Sequence, residues 1–174
     1  GANPILCTVV GNDNNGVKFE ELMKESSLST EGMLVCSDRK TTIKTRVMSE
    51  GKQQLRLDEE EKHPIIIEKQ FLTNFKELLN NTDVIILQDY NKGVLTKKII
   101  SEVILIAKNK GIPTIVDPKN DNFLEYKGVD IFKPNLKEIK DGMKIEFDDK
   151  NDSELEKATS DLRNKLSAKG ILLT

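Results

Sequence analysis

Short apolar runs, each passing into a polar cluster and then a helical stretch, limit this chain to few folds. Val84-Ile85-Ile86-Leu87 leads into Gln88-Asp89-Tyr90-Asn91-Lys92-Gly93, and Thr114-Ile115 into Val116-Asp117-Pro118-Lys119. Val129-Asp130-Ile131-Phe132 leads into Lys133-Pro134-Asn135-Leu136-Lys137-Glu138. Runs this short and this apolar read as buried strands, and helical spacers between them make the connections parallel. Ligands of parallel α/β sheets lie beyond the carboxyl ends of the strands. Three successive strands ending in Asp, Lys, Asn and Glu predict one polar crevice, suited to phosphate and a metal ion.

The 174 residues suffice for one domain with a core, and 32% charged against 37% hydrophobic residues excludes a disordered chain. A net charge of −2 gives no general attraction to nucleic acid or to an anionic membrane, so neither is an expected partner. No apolar stretch approaches the ~20 residues of a membrane span. The opening Gly1-Ala2-Asn3-Pro4 is turn-like rather than leader-like, and cytoplasm is the expected compartment. Cys7 and Cys36 sit among apolar neighbours and read as reduced, half-buried core residues.

Ile5 to Val10 reads as a strand closed by Gly11-Asn12-Asp13-Asn14-Asn15-Gly16, with a helix over Val17–Ser26. The rhythm then changes. Gly32–Ser37, Thr41–Ser49 and Gln53–Leu57 are alternating runs, with Ser49-Glu50-Gly51-Lys52 as a hairpin turn. They predict an antiparallel insert within about 32–58 that forms a lid, with the α/β core over 1–31 and 65–174. Ile67, Phe71, Leu72, Phe75, Leu78 and Leu79 trace a helical face. Thr96 is placed to cap a helix ending at Gly111, and Pro134 to open another that Gly142 closes. A last amphipathic helix over Ser153–Lys169 precedes a strand at Ile171–Thr174. A chain that stops on an apolar strand reads as a piece of a larger domain.

Asn135 and Glu138 lie one turn apart at a helix N-terminus, where phosphate is favoured and a carboxylate can hold magnesium through water. The same spacing fits a capping box, and both readings stand. Asp117 and Lys119 at the neighbouring strand end fit either a backbone turn or a phosphate site. Asp89 and Lys92 flank a loop whose lysine can reach a phosphoryl group or stay solvated. In the insert, alternation puts Thr42, Lys44 and Arg46 on one face, and Gln54 and Arg56 on one face of the next strand. Such a face can clamp a phosphate or be the wet side of a ribbon. His63 and the charge run Asp58–Lys62 read as solvated surface. No Walker A loop and no Gly-x-Gly-x-x-Gly occurs, which argues against P-loop and dinucleotide folds.

Gly11-Asn12-Asp13 with Gly16, the inserted strands, Asp117-Pro118-Lys119 and Pro134-Asn135-x-x-Glu138 together resemble the ribokinase, or PfkB, family of sugar kinases. Thr42-Ile43-Lys44-Thr45-Arg46-Val47, Gln53 to Asp58 and Asp89-Tyr90-x-Lys92-Gly93 are most similar to the heptose 7-phosphate kinase domains fused to ADP-heptose synthases. The resemblance implies a ribokinase-like three-layer α/β/α fold with a small β lid, often part of a homodimer. It implies ATP and Mg2+ as cofactors, and transfer of a phosphoryl group to the anomeric hydroxyl of D-glycero-D-manno-heptose 7-phosphate. By the same resemblance Asn135 and Glu138 organise magnesium and the ATP phosphates, with Asp117, Lys119 and Thr174 beside them. Lys44, Arg46, Arg56, Asp89 and Lys92 are the expected substrate-binding residues. The family's early Gly-Gly-rich sugar-binding motif and its late Gly-Ala-Gly-Asp motif, with the catalytic Asp, are expected to lie outside Gly1–Thr174. The piece is accordingly expected to be inactive alone.

Overall fold

The early Gly/Asn-rich turn builds a clasp before it builds anything else. In the computed structural model, which describes all residues Gly1–Thr174, β1 (Thr8–Gly11) runs through this turn into α1 (Asn14–Glu25). Asp13 caps α1 by accepting from Gly16 N–H at 2.8 Å, and its second oxygen accepts from Thr41 N–H at 2.8 Å. The Thr41 hydroxyl accepts in turn from Gly11 N–H at 2.9 Å. β2 (Met33–Cys36) then pairs parallel with β1, from Thr8 opposite Met33 to Gly11 opposite Cys36. The run at 32–37 is therefore a core strand, which corrects its expected place in the antiparallel insert. Alternation alone could not separate the two, because β1 lies 25 residues upstream and the pairing is non-local.

The insert is a two-stranded ribbon. β3 (Ile43–Ser49) and β4 (Lys52–Glu59) pair antiparallel across a turn with Glu50 at φ 50° and Gly51 at φ 75°. Positive φ at both central residues is the type I′ geometry that matches strand twist. A bulge between Val47 and Met48 leaves Gln54 without a cross-strand partner. Arg39, 8% exposed, closes the ribbon's foot: its guanidinium donates to the carbonyls of Lys92 at 2.8 Å, His63 at 3.4 Å and Glu61 at 3.5 Å. α2 (Glu68–Leu78) buries Phe71, Leu72 and Phe75. These elements, with Lys92–Val94, form one compact unit.

The second unit, Asn80–Asn91 with Leu95–Thr174, is a parallel four-stranded sheet in the order β5 (Ile85–Gln88), β6 (Thr114–Asp117), β7 (Ile131–Phe132), β8 (Gly170–Ile171). Three helices separate its strands: α3 (Lys97–Lys110), α4 (Leu136–Met143) and α5 (Asp152–Leu166). Thr96 caps α3 through Ile99 N–H, and Gly111 ends it at φ 68°. The core centres on Phe132, which meets Phe123 edge-on at 5.1 Å between ring centres and Tyr126 at 6.1 Å. Ile99, Ile100 and Leu162 are fully buried. No helix is long and apolar enough to cross a membrane.

Two helix ends depart from expectation. α4 runs through Gly142 and is closed by Lys144 at φ 55°, while Ser167 at φ 51° closes α5. Gly142 is there for room: a Cβ at this position would overlap the Phe123 ring, which is 2% exposed and has nowhere to move. Gly142→Ala therefore overpacks this contact and should destabilise the fold by about 1–3 kcal/mol despite alanine's better helix propensity. Urea denaturation measures it, and a neutral or stabilising result would contradict the packing.

Candidate functional site

Parallel pairing brings the carboxyl ends of β5 to β8 to one edge of the second unit, and the polar clusters meet there. Pro118 is fully buried after β6, so Asp117 and Lys119 leave the strand on either side of a fixed residue. Asp117 accepts from the Gln88 amide at the end of β5 and from Lys133 Nζ at 3.1 Å. Burial works against its ionisation, but these two bonds and the charges of Lys133 and Lys119 outweigh burial and hold the carboxyl below its usual range.

Asn135 sits after Pro134, which restricts Lys133 to extended backbone, and opens α4 as its N-cap. The Asn135 side chain accepts from Glu138 N–H at 2.9 Å, and Glu138 Oε2 accepts from Asn135 N–H at 3.0 Å. The capping box is real, and it leaves Glu138 Oε1 for Lys119 Nζ at 2.6 Å. Glu138 is 8% exposed, and its bond is the main cause that raises the Lys119 ammonium above its usual range. Thr174 lies alongside, its N–H donating to the Pro134 carbonyl at 3.2 Å. Asp117, Lys119, Asn135, Glu138 and Thr174 are thus brought together on three neighbouring strand ends.

Asp89 takes a different place. Its N–H donates to the Asp117 carbonyl, but its carboxylate is buried and accepts from Tyr126 Oη at 2.6 Å, Asn122 Nδ2 at 3.0 Å and Asn91 N–H at 2.8 Å. Burial first, then this bond, pushes the Tyr126 hydroxyl far above an ordinary phenol. Both Asp89 oxygens therefore serve to fix the loop after β5, in which Asn91 holds φ 52°.

The remaining candidates belong to the first unit. Arg46 lies directly opposite Arg56 in the ribbon, and Lys44 opposite Asp58. Asp58 accepts from Lys44 at 3.2 Å and pairs with Arg56 Nε at 3.1 Å. Lys92 pairs with Glu60, which also meets Lys44 at 3.5 Å. The Lys92 bond first, against burial, lowers the Glu60 pKa. The run Asp58–Lys62, read as solvated surface, instead supplies counter-charges to Lys44, Arg56 and Lys92. Arg39, Glu60, Tyr126 and Lys133 acquire their roles only through non-local pairing. His63 is 43% exposed in its side chain, with Asp38 at 3.4 Å and Glu61 at 3.5 Å. Cys7 and Cys36 are free, as expected.

Two measurements follow. Tyr126→Phe leaves Asp89 short of a buried donor and should cost about 1–3 kcal/mol in urea denaturation. Asp117 has a depressed folded pKa, so its stabilisation is complete above the unfolded value of about 4 and lost as pH falls through the lower folded value. The stability gap between wild type and Asp117→Asn should therefore close as pH drops from about 6 to about 3. A gap unchanged by pH would contradict the ion pairing.

A family model described as pfkB family carbohydrate kinase matches residues 1–173. The chain is 36% identical over 174 residues to the bifunctional protein HldE of Campylobacter jejuni (subsp. jejuni serotype O:2), covering 100% of this chain and 36% of that protein. It is 35% identical over 176 residues to the bifunctional protein HldE of a Nitratiruptor species, again covering 100% and 36%. Among solved structures it is similar to phosphofructokinase-2 from Escherichia coli in complex with potassium, with TM-score 0.72, 17% identity, and coverage of 95% of this chain and 54% of that one. Ribokinase from Giardia lamblia gives TM-score 0.69 at 16% identity, with coverage of 95% and 52%. These likenesses establish a ribokinase-like α/β fold. The chain spans about a third of the curated relatives and about half of the solved chains.

Proposed function

The chain belongs to the pfkB family of carbohydrate kinases, and we propose that the full-length protein uses ATP to phosphorylate D-glycero-D-manno-heptose 7-phosphate at its anomeric hydroxyl. The reading rests on the reciprocal Asn135–Glu138 cap, with Lys119 on the remaining carboxylate oxygen at the sheet's carboxyl edge. End-to-end likeness to two HldE proteins supports the heptose branch.

Glu138 and Asn135 supply hard oxygen donors. Mg2+ keeps most of its waters and accepts one or two carboxylate contacts, so this donor set fits it as bound with a nucleotide. The ion would neutralise charge on the transferred phosphoryl group. Asn135 and Glu138 then orient the nucleotide phosphates, with Lys119, Asp117 and Thr174 beside them. Asp89 holds the loop after β5 in place. Lys44, Arg46, Arg56 and Lys92 are the residues we assign to the sugar phosphate; Asp58 pairs with Lys44 and Arg56, and Glu60 with Lys92. The opposite ribbon face carries Val47, Leu55 and Leu57, all at least 43% exposed, and is the face we assign to a homodimer.

The test is ADP release by the full-length protein with heptose 7-phosphate, fructose 6-phosphate and ribose. Turnover should be selective for the heptose, and Glu138→Gln should lower kcat on the order of 10²-fold. Selectivity for another sugar would move the assignment to a different branch of the family. No turnover with any sugar would refute the kinase reading.

A further inference from the structure

The Glu138 carboxylate has no free oxygen. Oε2 is held by Asn135 N–H within the cap, and Oε1 by Lys119 Nζ at 2.6 Å. The two partners of this ion pair are unequal: the Glu138 side chain is 10% exposed and fixed by the helix, whereas Lys119 is 44% exposed on a flexible stem. The nearby Asp117 is already taken by Gln88 and Lys133. Two carboxylates face two ammonium groups, so the cluster is neutral as it stands.

Resting on the kinase reading above, we infer that Lys119 is an exchange cation, which holds Glu138 while the site is empty and passes to a nucleotide phosphate once a divalent ion takes the carboxylate. The ammonium occupies the oxygen that the ion needs, and Glu138 occupies the ammonium that the phosphate needs. Each ligand therefore relieves an obstacle to the other, and linkage makes this coupling reciprocal. Neither bound alone gains the full attraction of its own partner. Lys119 is a positioning residue under this scheme, and it sets the dependence of metal binding on nucleotide binding.

The consequence is two gains of affinity from removing charged groups, with the Mn2+ gain larger at Lys119 than at a neighbouring lysine. In the full-length protein, Lys119→Met should bind Mn2+ alone about threefold to tenfold more tightly than wild type. Glu138→Gln should bind ADP in excess EDTA more tightly by a similar factor. Calorimetry reads both without turnover, and melting curves confirm that the variants fold. Lys133→Met controls for the loss of one nearby positive charge and should move Mn2+ affinity by less than half as much as Lys119→Met. Unchanged or weaker Mn2+ binding in Lys119→Met, or equal gains in both lysine variants, would overturn the exchange. So would Glu138→Gln binding metal-free ADP no better than wild type. These outcomes leave the kinase reading intact if wild type still binds ADP with Mg2+. Wild type that binds no nucleotide under any condition would remove both.

Discussion

Parallel backbone pairing is the constraint on which the second unit depends. Strands in register from Ile85 opposite Thr114 to Phe132 opposite Ile171 must all end on the same side. Every following polar cluster is therefore delivered to one edge, whatever else the sequence does. Lys133 N–H donating to the Val116 carbonyl, and Leu172 N–H to that of Phe132, carry the pairing to its ends. Gln88 and Lys133 can then meet on Asp117 although 45 residues separate them. Side-chain chemistry at this edge is arranged by main-chain geometry.

The parts that were legible in the sequence are those decided within a few residues. Thr96 and Gly111 bracket α3 because a hydroxyl cap and a positive-φ stop are local devices. The Ser49–Lys52 turn is legible for the same reason. Asn135 and Glu138 could be read as a cap or as a site, and the geometry shows the cap, with the remaining Glu138 oxygen on Lys119. What escaped was set at a distance. β2 looked like part of the insert because its partner strand lies beyond a helix. Gly142 looked like a stop because nothing near it in sequence announces the Phe123 ring. The acidic run at the end of β4 looked solvated because its partners Lys44 and Lys92 lie 14 and 32 residues from Asp58 and Glu60.

Charge is handled differently in the two units. At the sheet edge, carboxylates and lysines alternate within a partly buried cluster whose members are fixed by a cap, a proline and a strand end. In the ribbon, Lys44 and Arg56 are both matched by Asp58, and Lys44 also by Glu60 just beyond β4.

The bulge at Val47/Met48 reaches beyond its own turn. A two-stranded ribbon has two bare edges, and straight bare edges invite further strands to add to them. An unpaired residue bends its strand and increases the local twist. Gln54 does this near the tip, where a flat edge would otherwise be longest. Strand-by-strand growth into a continuous sheet is thereby discouraged at this end of the ribbon.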